Sequence, residues 1–484
     1  MAPHTATVTR VLVIGGGPAG VTAALQAREL GAEVTLVEAK RVGGTSLNEG
    51  PAPLRTLARA ARLVRDARSW GRFGLRGDPP EVDVSAALAN AGRFAGYAHD
   101  QRRLADVIRD QGIELVEGSG PARFVDPHTV RIPDGRRFGG DAVIVAVGGH
   151  AGRLPIPGAE LALTYQDIRD LTELPATVAV VGGADTGCQL ASILADFGAR
   201  VTVIEASPRL LPHADLDVST GMAGSFVRRS ITVRTSTLVE RLERTSSGVA
   251  VHYRFGSGPT VLDVDAVFFA VGWPGNADAL AADAVGIATA RGQVKVGKDL
   301  RSSLPHVLAA GDVNGLSMLV PSARHEGQVA AENAVLGTRR QVDHQVVPTG
   351  SFTDPEYGSV GLTEAQALER GDYAVAVVRY GDLVRPVLDG HPEGFCKLIV
   401  DRDHRHLLGA HVLGEYSAEV IQMVAACMAA DMRIEQVAAL QLAFPTFTEG
   451  VGVAAARLVR ELGVTALAAP LSALLPPKGP RSEP

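Results

Sequence analysis

The first patterned stretch of the chain is an unbroken apolar run, Val11-Leu12-Val13-Ile14, of strand length. A run without apolar–polar alternation predicts a strand buried on both faces, as in a parallel sheet. Glycines follow at once, and residues 21–30 carry a helical pattern that Gly31 is placed to close. A second strand, Glu33-Val34-Thr35-Leu36-Val37, ends at Glu38. The pattern then recurs as a strand over 178–181, glycines, a helix running to Phe197 with Gly198 as cap, and a strand over 201–204 ending at Glu205. First glycine and closing acid are equally spaced in the two copies, since 38 − 15 = 205 − 182. Elsewhere, strands are predicted over 113–117, 141–147 and 266–271. After Gly50, Leu54, Leu57, Ala58, Ala61 and Val64 form one helical stripe. Further helices fall within 83–110, where Arg93, Arg102, Arg103 and Arg109 read as a solvated face.

Each glycine cluster carries its own chemistry. Gly15, Gly17 and Gly20 match the G-x-G-x-x-G fingerprint between strand and helix, which lets backbone approach a pyrophosphate at the helix N-terminus. Glu38 is placed to take a ribose hydroxyl. In the second copy the equivalents are Gly182, Ala184, Gly187 and Glu205. The methyl of Ala184 leaves the fold possible but crowds a pyrophosphate. Glu205 favours the free ribose of NADH over a 2′-phosphate, while Arg209 is the one nearby cation that favours NADPH. Two dinucleotide units imply two cofactors, one held tightly and one exchanged.

Composition narrows the partners. A length of 484 residues suggests roughly three domains. A hydrophobic share of 46% against 21% charged is that of a globular protein with a large core. The net charge of −6 argues against nucleic acid or an anionic membrane as main partner. No apolar run reaches the ~18 residues of a membrane span. The polar start, residues 1–9, shows no secretory signal, and no metal-ligand spacing is present. Cys188, Cys396 and Cys427 form no C-x-x-C pair and read as buried free thiols in a reducing cytoplasm.

With these motifs goes the stretch Val42-Gly43-Gly44-Thr45-Ser46-Leu47-Asn48-Glu49-Gly50-Pro51. It resembles the flavin-covering helix of the pyridine nucleotide–disulfide oxidoreductases, the family of dihydrolipoamide dehydrogenase, glutathione reductase and mercuric reductase. In that family two redox cysteines stand where this chain has Ser46 and Pro51. Pro305-His306-Val307-Leu308-Ala309-Ala310-Gly311-Asp312 resembles its second flavin motif. The segment Ala443-Phe444-Pro445-Thr446-Phe447-Thr448-Glu449 resembles its His-Pro-Thr segment, with Phe444 in the place of the proton-carrying histidine. Residues 346–463 are similar to its dimerisation domain. There 351–356 and 407–414 fit strands, and 418–430 fits the interface helix.

The resemblance implies an α/β chain with two Rossmann-like dinucleotide-binding domains plus a C-terminal α+β dimerisation domain. The expected boundaries are FAD-binding 1–153 and 296–343, NAD-binding 154–295, dimerisation 344–465, and a disordered, proline-rich tail 466–484. It implies FAD contacts at Gly44, Thr45, Ala122, Gly148, Gly311 and Asp312, and at Leu319 and Val320 before the helix that starts at Pro321. Gly272 is implied on the nicotinamide side. His325 and Glu326, one turn into that helix, read as ordinary surface. The family's flavin-side lysine and glutamate are matched by Arg55 and Gln189; Arg55 either faces the flavin edge or an anionic ligand, or is solvated. Glu449, without its family partner, is either structural or an unpaired carboxylate of raised pKa.

The function so implied is an FAD-dependent, NADH-preferring oxidoreductase acting as a homodimer. It would pass hydride to a small non-disulfide acceptor such as a quinone, with Ser46, Arg55, Gln189, Phe444 and Glu449 at the site. Phe444 and Phe447 are expected to wall an apolar pocket. The alternatives are a soluble transhydrogenase-like enzyme, an oxidoreductase of a specialised metabolite, and a non-catalytic flavin-binding dimer. A further reading places a bound carboxylate or phosphate ligand among Arg55, Gln189 and Glu449.

Overall fold

The computed structural model describes residues 8–464, with Thr172 and Ser257 excepted; the expected tail, 466–484, lies outside the described residues. Along the chain run β1 (Arg10–Ile14), α1 (Pro18–Glu29), β2 (Glu33–Val37), α2 (Gly44–Asn48), α3 (Pro51–Ala67), β3 (Glu114–Val116) and β4 (Ala142–Val145). Next come β5 (Thr177–Val181), α4 (Asp185–Phe197), β6 (Arg200–Ile204), α5 (Leu216–Arg228), β7 (Thr232–Arg234), β8 (Val307–Ala309) and α6 (Val320–Val335). The C-terminal part holds β9 (Thr349–Ser351), β10 (Tyr357–Gly361), β11 (Tyr373–Arg379), β12 (Phe395–Asp401), β13 (Leu407–Leu413), α7 (Ser417–Ala429) and α8 (Glu449–Glu461).

Contacts divide the chain into two compact units: 1–175 with 242–244 and 266–344, and 176–241 with 245–265 and 345–484. The expected 154–295 segment is thus shared between them. In the first unit five parallel strands pair in the order β8-β4-β1-β2-β3. Val11 and Val13 face a core made with α1 and α6. Leu12 and Ile14 face one made with Phe124, Val130 and Ile132. Burial on both sides is why β1 shows no polar alternation. Helix α6 lies close on α1, an approach that Gly327 permits, since a Cβ there would meet the Ala19 carbonyl oxygen at 2.3 Å.

In the second unit β7, β6 and β5 are parallel neighbours. An antiparallel sheet of order β9-β10-β13-β12-β11 forms the C-terminal part. Its apolar face packs on α7 and α8. The strand expected over 351–356 is divided: Ser351 ends β9, Tyr357 starts β10, and the intervening residues make the turn. Asp354 there accepts an ion pair from Arg229, which also holds Asp196. Among the described residues no helix is long and apolar enough to cross a membrane.

Candidate active site

The first glycine turn is held from three sides. Gly15 has φ +101°, a conformation that glycine alone adopts freely, and a side chain at Gly20 would strike the Gly15 carbonyl oxygen at 1.8 Å. The Glu38 carboxylate accepts the N–H of Gly16 at 2.6 Å and of Lys40 at 2.7 Å. Burial raises its pKa against these hydrogen bonds. Helix α1 opens at Gly17 with no side-chain cap and no acid in its first turn. Its unsatisfied amides and partial positive charge therefore remain available to an anionic phosphate. A Cβ on Gly17 would meet only the Cα of Gly44, at 3.8 Å. These features fit the pyrophosphate of FAD.

Helix α2 is laid against this turn, with the Gly43 N–H donating to the Gly16 carbonyl at 2.7 Å. A Cβ on Gly44 would collide with Gly17. Thr45 and Ser46 are thereby brought beside the turn, both half-buried. The Ser46 hydroxyl donates to the Gly43 carbonyl at 3.1 Å, an internal helix contact. Arg55, on α3, is exposed, but the protein around it strips part of its hydration and lowers its pKa. Ala122 is buried at the start of the strand Arg123–Asp126.

A second cluster gathers at the ends of β4 and β8. The loop from Gly272 to Asn276 lies on the loop that contains Gly148. His150 N–H donates to the Pro274 carbonyl, and the Asn276 side chain donates to Val147. Gly272 therefore belongs with the first unit. The Trp273 indole N–H donates to the Asp312 carboxylate at 2.7 Å and tilts over Tyr165, centroids 5.8 Å apart. Burial raises the Asp312 pKa against that bond. Gly311 and Asp312 precede α6, which opens at Leu319 without a side-chain cap or first-turn acid. Nothing in sequence marked Trp273 as a partner of Asp312.

Glu326 corrects an expectation. It is not helix surface but fully buried, because α6 is wedged against α1 and the 311–314 turn. One carboxylate oxygen accepts from Gly311 N–H at 2.6 Å and from the Asn314 amide at 2.7 Å.

The second crease repeats the first. Glu205 accepts from Gly183 N–H at 2.5 Å and Ser207 N–H at 2.6 Å. Gly182 has φ +104°. Ala184 caps α4 at φ −83° and ψ −167°, extended geometry that any residue adopts. Gly187 is buried in the first turn of α4. Arg209 donates to the carbonyls of Ala214 and Pro212, and Arg234 stacks over Phe255 at 5.0 Å. Asp185 begins α4 and accepts the Tyr357 hydroxyl. Sequence reasoning missed that pair, whose members are 172 residues apart. Gln189 presents a buried side-chain nitrogen that makes no hydrogen bond.

The C-terminal segment divides its aromatics. Phe444 is 69% exposed. Phe447 is no pocket wall: it is buried in the core against Tyr380 and Tyr416, at 5.3 and 5.0 Å. Glu449 starts α8 with one carboxylate oxygen buried and unpaired, and burial raises its pKa. Cys188, Cys396 and Cys427 are all free and buried.

Residues 9–327 match the pyridine nucleotide-disulphide oxidoreductase profile, and residues 347–455 match the dimerisation domain of the same group. A dihydrolipoyl dehydrogenase 2 of Haloarcula marismortui is 32% identical over 463 residues, spanning 93% of this chain and 96% of that protein. A mercuric reductase of Lysinibacillus sphaericus is 28% identical over 449 residues, 92% of this chain and 82% of that one. Among solved structures, the HOCl-induced flavoprotein disulfide reductase RclA from Escherichia coli aligns with a TM-score of 0.82 at 25% identity, covering 92% of this chain and 99% of its own. LpdA from Mycobacterium tuberculosis aligns at 0.84 and 24%, covering 93% and 100%, a likeness of fold.

Proposed function

The chain belongs to the pyridine nucleotide-disulphide oxidoreductase family, and on that footing we propose an NADH-preferring oxidoreductase that reduces a small non-disulfide acceptor, such as a quinone. Members of the family use FAD and NAD(P)H. The observation that carries the proposal is the set of positions around Gly44. Ser46 and Pro51 stand in the flavin-covering stretch, and the chain's three cysteines are buried elsewhere. Phe444, in the place of the proton carrier, has no titratable group.

FAD, when bound, supplies a carrier that takes hydride from a reduced nicotinamide and yields electrons to an acceptor. Around it, the open N-terminus of α1 and Gly17 would receive the pyrophosphate, Glu38 a ribose hydroxyl and Asp312 the sugar-alcohol chain. Glu205 would do for NADH what Glu38 does for FAD. Both carboxylate oxygens of Glu205 face backbone N–H groups yet keep spare lone pairs for a ribose hydroxyl. A 2′-phosphate would meet that negative charge, while Arg209 is already spent on two carbonyls. Both points support NADH. The dimerisation-domain match supports a homodimer, and the free thiols suit a reducing cytoplasm.

One observation favours a second reading, a flavin-binding dimer without turnover. Asp185 places a carboxylate in the first turn of α4, where it opposes an anionic cofactor. Steady-state assays separate the two readings. NADH oxidation should proceed with quinones, fail with a lipoamide-type disulfide, and survive alkylation of thiols. Disulfide reduction abolished by alkylation would overturn the non-disulfide assignment.

A further inference from the structure

The buried carboxyl beneath the Gly311–Asp312 turn has one oxygen engaged and one that faces a histidine. Oε2 of Glu326 accepts from Gly311 and Asn314. Oε1 lies 3.0 Å from Nε2 of His344, and neither of these two buried atoms has a hydrogen-bond partner. Glu326 is 0% exposed. An ionised carboxylate and an imidazole that keeps its proton on Nδ1 would leave two lone pairs facing each other. A proton placed between them would satisfy both buried atoms at once.

We propose that Glu326 and His344 are positioning residues that share this proton, and that the charge they carry together sets how firmly the Gly311–Asp312 turn is held under the flavin. The proposal rests on the flavin reading of that turn. The protons balance simply. With the carboxylate ionised, the ring carries its proton on Nε2 and donates to Oε1. When the pair takes up one proton from water, Oε1–H donates to Nε2, and the ring proton moves to Nδ1. The 3.0 Å contact is kept in both states, but the charge on the carboxyl changes from −1 to 0. Hydrogen bonds to a charged acceptor are about twice as strong as neutral ones. The ionised pair therefore grips Gly311 N–H and Asn314 tightly, and the protonated pair grips them weakly. Asp312, carried on that turn, follows.

The pair titrates where this matters. Burial, opposed by the Gly311 and Asn314 bonds and reinforced by the charge of Asp312, pushes the Glu326 carboxyl up to about 7. Burial, with His325 nearby and against Asp343, pulls the His344 ring down. Because the folded-state pKa of Glu326 is raised, its contribution to stability is complete below the ordinary 4.5 and is lost as pH rises through about 7. The grip on the flavin runs the other way, strengthening as pH rises through the same value.

The test measures the FAD dissociation constant of the full-length protein from pH 6 to pH 8. The wild type should bind FAD roughly fivefold more tightly at pH 8, the equivalent of one strengthened hydrogen bond. Glu326→Gln, permanently neutral, should bind at every pH as the wild type does at pH 6. In His344→Gln the amide can donate to Oε1, so the inflection should move to lower pH. An unchanged inflection in Glu326→Gln, or none in the wild type, overturns the proposal. A second readout needs no flavin. In Trp70→Phe, the remaining Trp273 donates to Asp312, so its fluorescence reports the turn. An inflection near pH 7 that Glu326→Gln abolishes supports the shared proton, and its absence refutes it. A protein that takes up no FAD at any pH fails the flavin reading, and Trp273 then decides the pair alone.

Discussion

In both nucleotide creases a carboxylate at the end of the second strand takes the N–H of the middle glycine and of the residue two positions beyond itself. Glu38 does so at 2.6 and 2.7 Å, Glu205 at 2.5 and 2.6 Å. The first glycine of each turn sits at nearly the same positive φ, +101° and +104°. The rims differ. At the first crease Gly17 is followed by Pro18, no acid lies in the first helical turn, and Gly44 closes over the turn. At the second, Ala184 is followed by Asp185, whose carboxylate is tied to Tyr357. A bare, covered N-terminus suits a cofactor that stays. One carrying a methyl and a negative charge suits a cofactor that is held weakly and leaves.

The comparison breaks most completely at Gly20. A methyl there would lie 1.8 Å from the Gly15 carbonyl. Gly20→Ala should therefore exceed the ~1–3 kcal/mol of ordinary overpacking and yield protein without flavin colour, as the absorption spectrum of the purified chain will show. Next comes Ala184→Val. Its backbone accepts valine without strain, so FAD content should be unchanged while NADH binding weakens about tenfold, or ~1.4 kcal/mol. Titration of the holoprotein with NADH checks this. Unchanged binding would mean that the pyrophosphate does not rest on Ala184.

Smaller effects sharpen the contrast. Glu205→Gln keeps an acceptor for Gly183 but loses the charge that repels a 2′-phosphate. The ratio of NADPH to NADH dissociation constants should fall about fivefold, on the order of 1 kcal/mol for a charge-assisted contact. The smallest change is Asp185→Asn. Charges at helix ends are worth ~0.3–1 kcal/mol, so NADH should bind up to about threefold more tightly at low salt, with the gain shrinking as salt is added. A gain that ignores salt would mean that Asp185 acts through Tyr357 and not through its charge.

The parts of the chain legible beforehand are those whose chemistry is local. The bounds of α4 up to Phe197, its Gly198 cap and the equal spacing of Glu38 and Glu205 follow from neighbours a few residues away. Glu326 was not legible, because its burial comes from α1, some 300 residues earlier, and from a turn that needs its carboxylate. Phe447 was read as a pocket wall on its proximity to Phe444, yet an aromatic two positions from a proline gives no sign of which face it takes. Here Tyr380 and Tyr416 claim it. Trp273, Asp312 and Tyr165 meet only through the fold. That positions 46 and 51 hold Ser46 and Pro51 could be read directly, whereas an acceptor leaves no local signature.

The central claim, that this crease pair still moves electrons from nicotinamide to flavin, is tested by mixing the holoprotein anaerobically with NADH and then with NADPH. The visible absorbance of the oxidised flavin is followed throughout. Bleaching by NADH is expected at lower concentration than by NADPH, with colour restored by a quinone. A flavin that stays yellow with both nucleotides would contradict it and leave a dimer that binds flavin without using it.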